Sequence, residues 1–211
     1  MDIAIFVFDD MTALDAVGPM EVMALLPGAE LKIVGHEKGP VRAGKGARSL
    51  GIMADHALDD ITSAEVLIVP GGFGTRALVK DEALAAWLRA IHETTRWTTS
   101  VCTGSLLLAA AGLLNGVPAT THWAAMDLLK KLGARPTDRR VVEAGRIVTA
   151  AGVSSGIDMG LTLAAKIAGD DVARAIQLMI EYDPEPPFDA GAAGKATPEA
   201  RKLALALAGG G

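Results

Sequence analysis

Hydrophobic and polar positions alternate along this chain in two kinds of run. Short continuous apolar runs lie at Ile3–Phe8, Leu31–Val34, Glu65–Val69 and Thr98–Val101. Runs of that kind read as strands buried on both faces. Between them lie longer stretches with apolar residues three and four apart. Asp81–Thr94 is the clearest, with Leu84, Leu88 and Ile91 on one face. Asp15–Leu26 reads as a helix with Pro19 near its beginning, where proline is tolerated. Ser105–Leu114, Trp123–Leu132, Gly156–Ala168 and Val172–Ile180 read as further helices, and Ala119–Thr121 as a short strand. Pro40–Ile52 reads as a hairpin or loop excursion. Arg140–Val142 and Arg146–Thr149 flank Ala144 and Gly145, a hairpin signal. Strands alternating with helices predict an α/β sandwich around a mostly parallel sheet, with ligands bound at the carboxyl ends of its strands.

The punctuation changes after Asp183. Pro184, Pro186 and Pro187 forbid a regular helix through Glu185–Phe188, and Pro198–Leu207 reads as a short terminal helix. The expected organisation is one α/β domain over 1–183. A Pro-, Gly- and Ala-rich extension over 184–211 then packs on the surface or on a partner subunit.

Length and charge narrow the function. With 211 residues, half of them hydrophobic, the chain suits one sizeable core. A net charge of −5 without a basic block argues against nucleic acid as partner. The longest apolar stretch, near Leu106–Leu114, is far shorter than the ~20 residues a bilayer needs, so no membrane partner is expected. The N-terminus shows no leader pattern. A single cysteine forms no internal disulfide, and no Cys/His cluster has zinc spacing. A cytoplasmic setting is the expectation.

That cysteine, Cys102, carries the chemistry. A strand-like run leads into it, a helix-like run leads out, and Gly104 follows two residues later. A tight strand-to-helix corner exposes a nucleophile and aims backbone N–H groups at it, favouring a thiolate. The alternative is an inert buried cysteine. Asp15 is either a helix N-terminal acid favoured by the dipole or a carboxyl beside the thiol. Two acids in one small pocket cannot both ionise cheaply, so a thiolate beside a protonated Asp15 is the expectation. Gly71 and Gly72 form a plain turn, or bring the backbone close with Gly72 N–H directed at the site. Thr103 caps a helix or supplies a pocket hydroxyl. His122 is a general base for a Cys/His pair or a structural imidazole. The Gly152–Asp158 segment either caps a helix or brings Ser154 and the N–H groups of Gly152 and Val153 over the pocket.

Several segments together resemble the DJ-1/PfpI superfamily. They are Pro70–Gly74, Val101–Ser105, Leu113–Gly116, Thr120–Trp123 and Gly145–Asp158. Leu14–Val22 and the tail Ile180–Gly191 are similar to the isonitrile-hydrating branch of that family. The resemblance implies a flavodoxin-like three-layer sandwich and a homodimer. It implies hydration of a small-molecule isonitrile to an N-substituted formamide through a cysteine thioimidate, with no metal or organic cofactor. Cys102 would be the nucleophile, assisted by Asp15 and Thr103. Thr103 stands where the protease-like branch has histidine, which weakens a peptidase reading. Glyoxalase or deglycase chemistry on 2-oxoaldehydes, and a non-enzymatic cysteine sensor, are the rival readings.

Overall fold

The computed structural model describes residues 1–44 and 49–209. Its centre is a seven-stranded sheet. In chain order the strands are β1 (Asp2–Phe6), β2 (Glu30–Gly35), β5 (His56–Ala57), β6 (Val66–Val69), β7 (Trp97–Val101), β10 (Val141–Ala144) and β11 (Ile147–Ala150). They lie in the order β10-β11-β7-β6-β1-β2-β5, every neighbouring pair parallel except β10 with β11. The innermost strands are wholly buried: Ile3–Phe6 in β1 and all four residues of β6 have no exposure. Their continuous apolar runs follow from having both faces covered.

Helices cover both faces. On one, α1 (Ala13–Met23) packs on α6 (Ser155–Ala168), which carries α7 (Asp170–Met179). On the other, α4 (Gly104–Ala110) is the hub for α2 (Thr75–Leu78), α3 (Glu82–Thr94) and α5 (Met126–Lys131). Right-handed crossovers that step outward from β1 in opposite directions put α1 and α3 on opposite faces. The result is the expected α/β three-layer sandwich.

Several boundaries differ from the sequence reading. Helix α1 begins two residues earlier than expected, so Pro19 sits inside it rather than near its start. Without an N–H, Pro19 leaves the Asp15 carbonyl without its helical partner. Pro40–Ile52 is part of an antiparallel hairpin of β3 (Gly39–Ala43) and β4 (Leu50–Ala54); residues 45–48 of that stretch lie outside the described residues. The expected strand at Ala119–Thr121 is β8 (Pro118–Ala119), paired in parallel with β9 (Arg135–Pro136). The expected helix at Trp123–Leu132 starts as a single 3-10 turn over Trp123–Ala125 before α5. Beyond Tyr182 the chain runs over the surface and ends in α8 (Pro198–Gly209), whose Leu203, Leu205 and Leu207 are exposed.

Candidate active site

Strand β7 ends at Val101 and α4 starts at Gly104, leaving Cys102 and Thr103 to make the corner. Cys102 adopts φ +56°, a left-handed conformation rare for a residue with a side chain. Its N–H is shared between the carbonyls of Ala150 and Ala151 at 3.1 and 3.0 Å. Its carbonyl accepts from the hydroxyls of Thr121 at 3.0 Å and Ser105 at 3.2 Å. The strained backbone is thus held from both sides. The turn depends on Gly104, where a Cβ would stand 2.1 Å from the Val69 carbonyl oxygen.

The loop after β6 meets this corner. At Gly71 a Cβ would stand 2.4 Å from the Thr103 nitrogen. Gly71 N–H donates to Asp15 Oδ2 at 2.9 Å, and Thr12 N–H donates back to the Gly71 carbonyl at 2.8 Å. Gly72 N–H donates to Thr103 Oγ1 at 2.9 Å, so this donor is engaged within the protein. Thr75 Oγ1 donates to the Gly72 carbonyl at 2.7 Å. The Thr103 hydroxyl therefore fastens the glycine loop, while its backbone N–H is directed at the Cys102 sulfur. Sequence reasoning passed over Thr75, Thr121 and the Gly71–Asp15 bond. Only the position of Thr75 right after Phe73 and Gly74 hinted at a hydroxyl that closes the loop.

Asp15 is fully buried. Its Oδ1 accepts no formed hydrogen bond, and the Cys102 thiol is the side chain that acts on the carboxyl. Burial pushes the Asp15 carboxyl up to about 7, against the Gly71 N–H and the thiol, which pull it down. Burial and then the Asp15 charge push the Cys102 thiol up to about 12, although the N–H groups of Thr103 and Val153 pull it down. Both groups are raised and burial is the first cause for each, so each holds its proton further up the pH scale than a free carboxyl or thiol does. The two acids share one desolvated space, with the Gly71 N–H on the carboxyl and the Thr103 and Val153 N–H groups on sulfur. A carboxyl raised to about 7 can exchange a proton near neutral pH.

A cavity of about 760 Å³ opens beside this pair. Ala151–Ser154 form one wall, and Leu14, Trp123 and Met126 give it apolar surface. Cys102 and Asp15 are not among its lining residues; Val153, whose N–H acts on the sulfur, and Thr121, bonded to the Cys102 carbonyl, connect the lining to the pair. Val153 has φ +29°, strained for a β-branched residue, and in that posture its N–H faces the sulfur. Gly152 lies against the His122 ring: a Cβ there would stand 2.8 Å from His122 Cδ2. His122 Nδ1 accepts from Ala124 N–H at 3.3 Å. Burial and the Arg76 charge hold His122 below 6.5, so it is neutral and, among the described residues, bonded away from Cys102. Ser154 precedes α6 without capping it, and its Oγ accepts from Arg140 Nη2 at 3.3 Å. Among the described residues, no group of three or more His, Cys, Asp or Glu is placed to hold a metal ion. Nor is any helix long and apolar enough to cross a membrane.

Comparisons with known proteins agree with this architecture. The DJ-1/PfpI family model matches residues 1–166. Isonitrile hydratase of Pseudomonas putida is 42% identical over 208 residues, covering 97% of this chain and 90% of that protein. The HTH-type transcriptional regulator CdhR of Pseudomonas aeruginosa is 32% identical over 143 residues, 67% of this chain and 41% of the regulator. A crystal structure of a ThiJ/PfpI family protein from Pseudomonas syringae superposes with a TM-score of 0.93 at 38% identity, covering 99% of this chain and 86% of that one.

Proposed function

The chain belongs to the DJ-1/PfpI family, and from that membership and the site geometry we propose that it is an enzyme hydrating isonitriles to N-substituted formamides. The observation that carries the reading is a buried carboxyl, Asp15, raised to about 7 beside the only thiol of the chain. Similarity to isonitrile hydratase over 97% of the chain supports it.

The steps balance with these residues alone. Asp15 takes the Cys102 proton and delivers it to the isonitrile carbon as sulfur bonds to that carbon, giving a thioimidate. Asp15, again a carboxylate, takes a proton from water as the hydroxyl adds to the same carbon. That proton goes to nitrogen. The added hydroxyl then gives up its own proton through Asp15 to sulfur as its oxygen becomes the carbonyl and the carbon–sulfur bond breaks, releasing the formamide and the free thiol. Covalent catalysis divides one difficult hydration into two easier steps. A relay through Asp15 contributes roughly 10²–10⁴-fold. The N–H groups of Thr103 and Val153 stabilise charge on sulfur while it is the nucleophile and again as it leaves.

The test is turnover of cyclohexyl isocyanide beside methylglyoxal, with protein quenched during turnover and weighed by mass spectrometry. Formamide production and an adduct on Cys102 equal to one isonitrile support the proposal. Turnover of methylglyoxal alone favours the 2-oxoaldehyde reading, and turnover of neither favours a sensor. Exposed Leu178, Met179 and Phe188, together with the uncovered leucines of α8, support assembly as a homodimer. Sedimentation at micromolar concentration that gives only the 21.7 kDa species would contradict it. A single thiol and no disulfide suit a reducing, cytoplasmic compartment.

A further inference from the structure

The extension beyond Tyr182 reaches the cavity beside Cys102. Gly191, Ala192, Ala193 and Gly194 line it together with Val153 and Ser154. The approach is anchored. Tyr182 OH donates to Asp158 Oδ2 at 3.2 Å, Arg140 Nε donates to the same carboxylate at 2.7 Å, and Gln177 Nε2 donates to the Tyr182 carbonyl at 3.0 Å. The three prolines that follow stiffen the chain. The turn is closed on itself, because the N–H groups of Lys195 and Ala196 both reach the Ala192 carbonyl, at 3.0 and 3.1 Å. Lys195 Nζ also pairs with Asp189 Oδ1 at 2.5 Å, bracketing the segment. Of the four lining residues only Ala193 is half-buried; the other three are exposed.

We propose that the Gly191–Gly194 turn is the outer wall of the substrate cavity, and that Ala193 sets how large an N-substituent the cavity admits. The inference rests on the hydratase reading for its substrate class, but the geometry of access to Cys102 does not. A wall of glycine and alanine leaves room in a cavity that Leu14, Trp123 and Met126 also line, so it admits a bulky substituent with apolar surface to meet there. A small-residue wall selects by volume alone, and filling it excludes large substituents while sparing small ones.

Because Cys102 is the only cysteine, access can be read without turnover. Full-length parent, Ala193→Leu, Ala193→Phe and the control Ala190→Phe are alkylated at alkaline pH with iodoacetamide and with bulky N-phenylmaleimide. The rates are followed by intact-protein mass spectrometry, and folding is checked by circular dichroism. In Ala193→Phe the bulky-to-small rate ratio is expected to fall about tenfold or more, as for extra carbons in a closed pocket, with Ala193→Leu in between and Ala190→Phe unchanged. In the same order, KM for cyclohexyl isocyanide rises while that for methyl isocyanide stays level. An unchanged rate ratio in both Ala193 variants overturns the proposal, as does an equal fall in Ala190→Phe. Failure of either reagent to reach Cys102 in the parent also overturns it, since the cavity would then not lead to sulfur. A parent that turns over no isonitrile, with the alkylation pattern intact, refutes the hydratase reading and leaves the wall assignment standing.

Discussion

Replacing Asp15 by asparagine separates what the buried carboxyl costs from what it does. In the folded chain the carboxyl keeps its proton up to about 7, whereas its ordinary value is 3.8. Between those values the folded state binds more protons than the unfolded state. Stability therefore falls as pH rises through that window, and the penalty is complete above about 7. The full rise corresponds to about 4 kcal/mol, at about 1.4 kcal/mol per unit. Of that, about 2–3 kcal/mol accrues between roughly pH 5 and pH 8. Asparagine has nearly the same shape, keeps an oxygen for the Gly71 N–H and never ionises. Urea unfolding of parent and Asp15→Asn at both pH values should show the variant gaining that much relative to the parent. The titrations of His92 and His122, both held below 6.5, occur in both proteins and cancel in the difference. The thiol at about 12 lies outside the window. Hydration by the same variant should drop by roughly 10²–10⁴-fold, because no group remains to relay the proton. A parent–variant difference that is flat with pH would refute the reasoning: the carboxyl would then not be raised.

Cys102→Ala should keep its unfolding midpoint near that of the parent while isonitrile turnover and the covalent adduct both vanish; residual turnover well above background argues against a covalent route. Thr103→Val should leave the Gly72 N–H without its acceptor and destabilise the fold by about 1–3 kcal/mol in urea unfolding, with Thr103→Ser largely restoring it. Asp81 caps α3 by accepting from Leu84 N–H at 2.9 Å, so Asp81→Ala should cost about 1 kcal/mol at neutral pH. That bond holds the Asp81 carboxyl below its ordinary value, so its contribution should disappear as pH falls through the acid range, and a difference independent of pH contradicts it.

The layers of this fold were legible because the central strands are buried on both faces and so spell unbroken apolar runs. Ile3–Phe6 and Val66–Val69 are the clearest cases. Cys102 could be found because a strand-to-helix corner needs a glycine where Gly104 meets the Val69 carbonyl. Less legible were elements held by tertiary contacts rather than by their own pattern. Strands β5 and β9 have two residues each and carry no period of their own. The early start of α1 was hidden because Pro19 looks like a first-turn residue. The position of the proton between Asp15 and Cys102 depends on how deeply each is desolvated, and no local pattern encodes that. The reach of Gly191–Gly194 to the cavity is set by the Tyr182–Asp158–Arg140 anchor, whose members are scattered over more than forty positions.

The flanks of the seven-stranded sheet bear on how copies of this chain can meet. One flank ends on β5, only two residues long, which offers little backbone for another strand to pair with. On the other flank the last strand, β10, is turned antiparallel and lies next to β8. Among the described residues, neither flank of this sheet presents a long open ladder of N–H and C=O groups. Growth of this sheet by a strand from another copy is disfavoured there, so the surfaces it leaves for contact are helices and loops, whose side chains can be tuned one residue at a time.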